Sequence, residues 1–312
     1  MLEERIAEER AAEERIIEER AAEERIAEER IIEERAAEER IIEERAAEKK
    51  DIAGKRKENA AVVSQEELAE GIFSMWIHTE AAQSAKPGQF ISMYTNDNSK
   101  LLPRPVSICE IDRKAGNLRA VYRVTGKNTG TEQFSRLRGG DTIPIIGPLG
   151  NGFPLEKAQG KKVFLIGGGI GVPPILELAK QTVCVKKQIV VGYRDKNTFL
   201  REEFEENGAL YISTEDGSVG TKGNVLDAVR ENALEADVIY ACGPAPMLRA
   251  VKSYAEERNI VCYVSLEERM ACGIGACLGC VCKTIERDLH SNVHNRRICK
   301  DGPVFLATEV EL

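Results

Sequence analysis

Four cysteines stand within thirteen residues near the C-terminal end of the chain, in the segment MACGIGACLGCVC at 270–282. Cys272, Cys277 and Cys280 follow a C-x4-C-x2-C pattern, and Cys299 comes after eighteen intervening residues. This is the plant-type spacing of the ligands to a [2Fe–2S] cluster. The glycines and alanines in the segment allow the backbone to curl around an inorganic core and to direct N–H groups at its sulfurs. These four cysteines are the predicted metal ligands.

A zinc site is the alternative interpretation of these cysteines, although zinc more commonly pairs two C-x2-C motifs or takes histidines. His290 and His294 lie in a polar insert before Cys299 and are predicted to face solvent, with a role as ligands of a Rieske-like centre as the alternative. Cys282 is predicted to point away from the cluster because side chains alternate along an extended segment. Three further cysteines have apolar neighbours and are predicted core residues: Cys109, Cys184 and Cys262.

A glycine-rich segment, KKVFLIGGGIGVPPILELAKQ, predicts a strand over 163–166, a tight loop, and a helix from about Pro173. Proline is tolerated in a first helical turn, and glycines leave room for a phosphate at the positive helix end. The spacing is not the full G-x-G-x-x-G fingerprint, so a plain tight turn remains the alternative. The predicted dinucleotide contacts in this loop are Gly167, Gly168, Gly169 and Gly171.

Further strands, QIVVGYR, ALYIST and DVIYACGPAPML, are separated by helix-like stretches such as 223–232. This alternation predicts a parallel sheet whose ligand lies at the carboxyl ends of the strands. Asp195 and Asp216, after strand ends, would repel a 2′-phosphate and favour NAD without excluding NADP. The predicted nicotinamide-side contacts at one strand end are Cys242, Gly243, Pro244 and Met247. For Cys242, a small buried filler is the alternative.

Before the glycine loop, six short segments alternate apolar and polar residues between Pro and Gly turns, which predicts an antiparallel β-barrel. Within it, LLPRPVSI places Arg104 beside Ser107, and VYRVTGKNTGT adds a second arginine and a Gly-Thr pair. Arginine donors, hydroxyls and close backbone N–H groups suit a diphosphate. Each piece alone would suit a surface arginine beside a turn; their order favours a flavin dinucleotide.

Composition places these elements in a chain of 312 residues, 42% of them hydrophobic, which predicts two or three domains. Nine cysteines, an odd number crowded toward the C-terminus, favour a reducing compartment. No apolar run approaches the roughly 20 residues of a membrane span, so we expect a cytoplasmic protein without a membrane partner. The net charge of −8 is carried entirely by the first 50 residues, so nothing indicates a nucleic-acid partner.

The first fifty residues repeat Glu-Glu-Arg followed by two small or apolar residues. All these residue types favour a helix, and five residues advance a helix by about 140°, so the isoleucine pairs fall on different faces. We expect a long, charged, solvated helix without a chemical role, and a coiled-coil or docking arm is the alternative. The predicted domains are 1–55 (charged helical repeat), 58–155 (FAD barrel), 160–262 (NAD α/β domain) and 263–312 ([2Fe–2S] domain).

The order of flavin barrel, GGGIGVPP, CGPAPM, ERMACGIGACLGCVCKT and RRICKDGPVF resembles the electron-transfer subunit of class B dihydroorotate dehydrogenase, in the ferredoxin reductase superfamily. The resemblance covers about residues 58–312 and implies that the four cysteines hold the cluster. The gap before Cys299 is longer than is usual in that family, and the repeat has no counterpart there. The implied FAD contacts are Arg104, Pro105, Val106, Ser107, Val121, Tyr122, Arg123, Gly130 and Thr131.

In that family, an FMN-containing catalytic subunit oxidises dihydroorotate during pyrimidine (UMP) biosynthesis. Single electrons then pass through the cluster to FAD, which reduces NAD+, and two copies of each subunit form a heterotetramer. The resemblance implies the same role here, as an NAD-linked iron–sulfur flavoprotein subunit that alone does not oxidise dihydroorotate. The alternatives are another NAD(P)H-dependent flavoprotein, of ferredoxin:NADP reductase or sulfide dehydrogenase type, and a zinc-stabilised interaction module.

Overall fold

The computed structural model of the chain describes residues 56–97, 99–287 and 293–312. The charged helix predicted over 1–55 and the solvent-facing position predicted for His290 lie outside the described residues. No helix within the described ranges is long and apolar enough to cross a bilayer.

Six antiparallel strands form a closed barrel in the order β1-β2-β5-β4-β3-β6, which confirms the predicted barrel. Alternate residues of each strand point inward, so that residues such as Ile91, Met93, Ile108 and Leu118 fill an apolar interior. A short helix, α1 (Gly130–Phe134), follows β5 and buries Phe134 in the same core. The strands are β1 (Arg56–Ala69), β2 (Ile72–His78), β3 (Phe90–Met93), β4 (Arg104–Asp112), β5 (Asn117–Arg123) and β6 (Thr142–Leu149).

The second half alternates strands and helices, as the sequence predicts. Its strands are β7 (Lys162–Gly168), β8 (Lys186–Tyr193), β9 (Ala209–Thr214), β10 (Thr221–Lys222), β11 (Val238–Cys242) and β12 (Val261–Ser265). Its helices are α2 (Pro173–Gln181), α3 (Arg201–Glu205), α4 (Val225–Glu231) and α5 (Ala245–Glu257). The helix expected to begin near Pro173 begins there, and the one expected over 223–232 is α4.

The C-terminal region contains a small hairpin and one strand that returns to the large sheet. Its elements are β13 (Val281–Lys283), β14 (Asn295–Arg297), α6 (Ile298–Asp301) and β15 (Val304–Leu306). Strand β15 pairs antiparallel with β12, which completes a seven-stranded sheet in the order β10-β9-β8-β7-β11-β12-β15. The predicted boundary between 262 and 263 falls inside β12, and the division into domains stays a prediction.

Four of the remaining cysteine and histidine predictions can be compared with the structure. Cys109 and Cys262 are buried, as predicted. The prediction for Cys184 is confirmed only in part: the residue is half-buried and packs against the core of the large sheet, while its neighbours Val183 and Val185 at the turn are exposed. His294 is exposed, with one ring nitrogen 3.0 Å from the Ile285 carbonyl oxygen.

Candidate functional site

The cysteine loop, residues 272–280, has no regular secondary structure and turns backbone N–H groups toward sulfur atoms. The Gly275 N–H donates to Cys299 Sγ at 3.1 Å, and the Cys277 N–H donates to Cys272 Sγ at 3.3 Å. From α6, the Cys299 N–H donates to Cys280 Sγ at 3.4 Å. The loop therefore surrounds its sulfurs with donors that favour negative charge, as predicted from its small residues.

The sulfurs approach one another in two pairs. The Cys277 side chain contributes to lowering the pKa of Cys272, and the Cys280 side chain contributes to raising the pKa of Cys299, so the members of each pair lie near one another. Among the described residues, no group of three or more His, Cys, Asp or Glu side chains is gathered so as to hold a metal ion. Two pairs of thiols suit a centre in which each of two irons takes two thiolates better than a single tetrahedral ion.

The pKa values of the thiols differ across the loop. Burial alone would raise the pKa of Cys272, but backbone N–H donors, led by that of Cys277, outweigh it and lower the pKa to about 6. Burial and the neighbouring Cys280 instead raise the pKa of Cys299 to about 12. Cys272 is partly exposed and Cys299 is 1% exposed, so the loop presents a ready thiolate at its surface and keeps the fourth ligand deep.

Two glycines of the loop sit where no other residue would fit well. Gly273 and Gly275 have φ values of +69° and +84°, which favour glycine. A Cβ atom on Gly273 would lie 2.8 Å from Ser92 Oγ of the barrel, and one on Gly275 would lie 3.0 Å from the Lys300 side chain. The tight turns at Gly273 and Gly275, the N–H donors to sulfur and the four thiols together fit a [2Fe–2S] centre.

The predicted flavin residues converge at the barrel surface. The Arg104 guanidinium lies directly against Gly130 at the start of α1, where a Cβ atom would collide with it. Thr131 Oγ1 accepts a hydrogen bond from the Thr125 N–H at 3.0 Å, which fixes the turn before the helix. An arginine fork beside backbone N–H groups at a glycine is an arrangement that binds a diphosphate.

Other members of the predicted flavin set are placed differently. Val106 and Tyr122 are buried in the barrel core, where the Tyr122 O–H donates to Gln65 Oε1 at 2.7 Å. Val121 is buried on the side of the barrel that faces the sheet. These residues can therefore reach a cofactor only through backbone atoms. The more accessible members of the set are Pro105, Ser107 and Arg123.

The predicted nicotinamide nucleotide residues also meet. In the sheet, Cys242 at the end of β11 is in register with Gly167 of β7. A Cβ atom on Gly171 would lie 2.5 Å from the Cys242 carbonyl oxygen, and the Met247 side chain packs against Gly168. Pro244 precedes α5, and Gly169 has a φ of +56° between β7 and α2. The glycine loop and CGPAPM thus form one surface at the carboxyl ends of neighbouring strands.

One charged residue that the sequence analysis did not single out lies between the barrel and the sheet. Glu267 remains open to solvent, yet the protein packed around its carboxyl raises its pKa, and Arg123 opposes that shift. Burial, together with the Glu267 charge, raises the pKa of Cys242 to about 12, with a hydrogen bond to Ser265 opposing it. Glu267 follows the carboxyl end of β12, the signal by which it could have been found.

The barrel, the dinucleotide-type sheet and the cysteine loop together define an iron–sulfur flavoprotein reductase of the ferredoxin reductase type. Residues 267–311 match the family model "Iron-sulfur cluster binding domain of dihydroorotate dehydrogenase B". Residues 165–253 match "Oxidoreductase NAD-binding domain".

Two solved structures support this class. The NADH-dependent reduced ferredoxin-NADP oxidoreductase structure, described for flavin-based electron bifurcation, has a TM-score of 0.70 and 30% identity, over 81% of this chain and 89% of that chain. A ferredoxin NADP+ reductase from Neisseria gonorrhoeae, solved with bound FAD and NADP, has a TM-score of 0.56 and 14% identity, over 64% of this chain and 91% of that chain. The second likeness concerns the fold alone.

Similarity to a curated protein shows the family to which the chain belongs. The dihydroorotate dehydrogenase B (NAD(+)) electron transfer subunit of Geobacillus sp. (strain WCH70) is 44% identical over 265 residues, which are 82% of this chain and 99% of the relative. The chain belongs to the family of dihydroorotate dehydrogenase B electron-transfer subunits, which confirms the resemblance found in the sequence.

Proposed function

We propose that this chain carries electrons from a dihydroorotate dehydrogenase catalytic subunit through a [2Fe–2S] cluster and FAD to NAD+, in pyrimidine (UMP) biosynthesis. The observation that carries the proposal is the cysteine loop, where backbone N–H groups donate to the four thiols while Gly273 packs on the barrel that contains Arg104 and Gly130. Identity of 44% over nearly the full length of a curated electron-transfer subunit supports it.

The chemistry belongs to the cofactors: a bound flavin can take up electrons singly and release them as a pair in a hydride. The residues of the chain bind the cofactors and orient them relative to one another. Arg104 and the Gly130 backbone hold the flavin diphosphate, and the glycine loop before α2 holds the phosphates of NAD. Cys242 keeps its thiol neutral at the strand end where the nicotinamide would lie, because burial and Glu267 raise its pKa. The four cysteines hold the cluster.

The catalytic subunit docks, in this proposal, on the exposed side of the cysteine loop. Ile274 and Leu278 are 48% and 77% exposed, although they flank ligand cysteines and are large and apolar. Apolar side chains left uncovered beside a predicted redox centre suit a protein interface. We further propose that the partner contains FMN, that two copies of each subunit assemble, and that the complex works in the cytoplasm, where four free thiols can take up iron.

The test is anaerobic purification of the chain, alone and with a co-expressed catalytic subunit, followed by absorbance spectra and analysis of flavin, iron and acid-labile sulfide. We expect flavin plus iron–sulfur absorbance, NADH-dependent reduction of artificial acceptors by the chain alone, and orotate formation only with the partner. A colourless protein with bound zinc, or orotate formation by the chain alone, would contradict the proposal.

A second candidate, a ferredoxin:NADP reductase-type subunit, is favoured by the structural similarity to the reduced ferredoxin-NADP oxidoreductase. The nicotinamide preference separates the two. Asp216, after β9, has its carboxylate held by the Ser218 N–H at 2.9 Å and would repel a 2′-phosphate. We therefore expect NADH to be preferred, and a preference for NADPH with ferredoxin as acceptor would support the second candidate.

A further inference from the structure

Ser92, in the middle of β3, has a hydroxyl group to which the described residues 56–97, 99–287 and 293–312 offer no hydrogen-bond partner. The residue is 0% exposed, and its Oγ atom makes no hydrogen bond. Buried hydroxyl groups in native proteins are nearly always hydrogen-bonded. An unpaired one loses its hydrogen bonds to water on folding and gains none within the protein. An unpaired Oγ in the barrel wall therefore points to a group that the described part of the chain does not supply.

The direction of the Ser92 side chain shows which part of the molecule its hydroxyl group faces. Ile91 and Met93 point into the barrel, so Phe90 and Ser92 lie on its outer face. Phe90 belongs to the same core as Cys280 and Cys299, and Gly273 of the cysteine loop lies directly over Ser92 Oγ. The outer face of β3 is thus the wall on which the cysteine loop rests.

The neighbours of Ser92 show which part of the cysteine loop faces its hydroxyl group. Gly273, on which an added Cβ atom would lie 2.8 Å from Ser92 Oγ, directly follows Cys272 in the chain. On the other side, Ser92 is in register with Pro105 of the predicted flavin segment. Ser92 therefore lies between the flavin strand and the Cys272 edge of the cysteine loop.

We propose that the Ser92 hydroxyl donates a hydrogen bond to a sulfur of the [2Fe–2S] centre at its Cys272 edge and so raises the reduction potential of the centre. The inference rests on the proposed function. Ser92 is a positioning residue: hydrogen bonds to the sulfurs of such a centre stabilise the reduced form, which carries the extra negative charge. The barrel would in this way set the driving force for electron transfer between the cluster and the flavin that the barrel holds.

The experiment is an anaerobic redox titration of the cofactor-loaded complex, with the cluster followed by electron paramagnetic resonance and the flavin by absorbance. For Ser92→Ala we expect about a tenfold shift of the cluster equilibrium toward the oxidised form, which is about 59 mV for a one-electron couple. Ser92→Thr, which keeps a hydroxyl, should retain the wild-type potential. Ser213→Ala is the matched control, because Ser213 is equally buried and unpaired but lies in the large sheet.

The outcomes are distinct. A wild-type cluster potential in Ser92→Ala, or a shift in the flavin potential alone, would overturn the inference. If Ser92→Ala assembles no cluster, rescue by Ser92→Thr supports the hydroxyl and failure of rescue refutes it. Absence of a cluster from the wild-type complex would instead refute the proposed function, so the two failures cannot be confused.

Discussion

The barrel meets the large sheet and the cysteine loop through two different kinds of seam. Toward the sheet the contact is polar: Glu177 of α2 is 4% exposed and accepts a hydrogen bond from the Ile111 N–H of β4 at 2.8 Å. Lys180, one turn further along α2, forms an ion pair with Glu110. Arg119 of β5 joins the same group through Glu110 at 2.6 Å.

Arg119 is the centre of this polar seam. It is 6% exposed, and besides Glu110 it pairs with Glu203 of α3 at 3.3 Å. Its Nε atom donates to Ser74 Oγ at 2.8 Å, and its guanidinium lies 5.9 Å from the centre of the Trp76 ring. A single cation of the barrel thus satisfies carboxylates from both sides of the seam.

Toward the cysteine loop the contact is apolar and close. Phe90 and Leu149 of the barrel pack in one core with Cys280 and Cys299. Glycine allows the closest approach: a Cβ atom on Gly150 would lie 2.5 Å from the Pro303 ring and 2.7 Å from the Gly302 carbonyl oxygen. Phe90 and Leu149 are hydrocarbon, and the polar contacts lie at the edge of the seam, where Asn151 Nδ2 donates to the Asp301 carbonyl oxygen at 3.1 Å.

The difference suits what each neighbour must do. A nicotinamide has to enter and leave the flavin face, so the sheet benefits from a seam of directional contacts that can re-form after a displacement. A cluster that exchanges electrons with the flavin benefits from a fixed separation, and a close-packed apolar seam resists deformation. Perturbing one seam should therefore affect nicotinamide chemistry, and perturbing the other should affect the cluster.

The largest expected effect comes from removing a ligand. Cys280→Ser should abolish most of the iron and acid-labile sulfide and the electron transfer from the catalytic subunit, because Cys280 is a predicted ligand that is only 1% exposed. The NADH-dependent reduction of artificial acceptors should persist, since the barrel and sheet are untouched. Metal analysis and steady-state assays measure both. Cys184→Ser, at the surface turn, should change neither, and an unchanged iron content in Cys280→Ser would contradict the ligand assignment.

Breaking the polar seam should have the next largest effect. Arg119→Met leaves Glu203 without its cation and leaves Glu110 with Lys180 alone. Removing one partner of a buried pair costs about 3 kcal/mol or more in the free energy of unfolding. We also expect slower flavin reduction by NADH, measured by stopped flow, with an unchanged cluster potential. Arg258→Met is the control: this exposed arginine pairs with Glu257 at 3.2 Å, and such pairs contribute at most about 1 kcal/mol. Equal losses in both variants would argue against a buried network.

Some of this arrangement could be predicted from the sequence, and the rest could not. The spacing of Cys272, Cys277 and Cys280 and the glycine loop are local signals, because neighbouring residues of the chain make the site. Arg119 gave no signal, since its partners come from β2, β4 and α3 and only the folded barrel assembles them. The apolar residues around Cys184 predicted more burial than the structure shows, because exposed valines at a turn look like a core segment in the sequence.

Cysteine-loop packing has its own test, with the smallest expected effect. Gly273→Ala imposes a left-handed backbone on alanine, which costs about 1–2 kcal/mol, and also drives a methyl group against Ser92 Oγ. Gly160→Ala is a matched control, because Gly160 has a nearly equal φ of +70° and no atom within 4 Å of the added Cβ. The excess loss of Tm in Gly273→Ala over Gly160→Ala therefore measures the packing of the loop on the barrel. We expect a positive excess together with lower cluster content and an unchanged reaction of NADH with artificial acceptors. Equal Tm losses and full cluster content would show that the apolar seam between the cysteine loop and the barrel deforms easily. The proposed contrast between a rigid apolar seam and a re-formable polar seam would then be wrong.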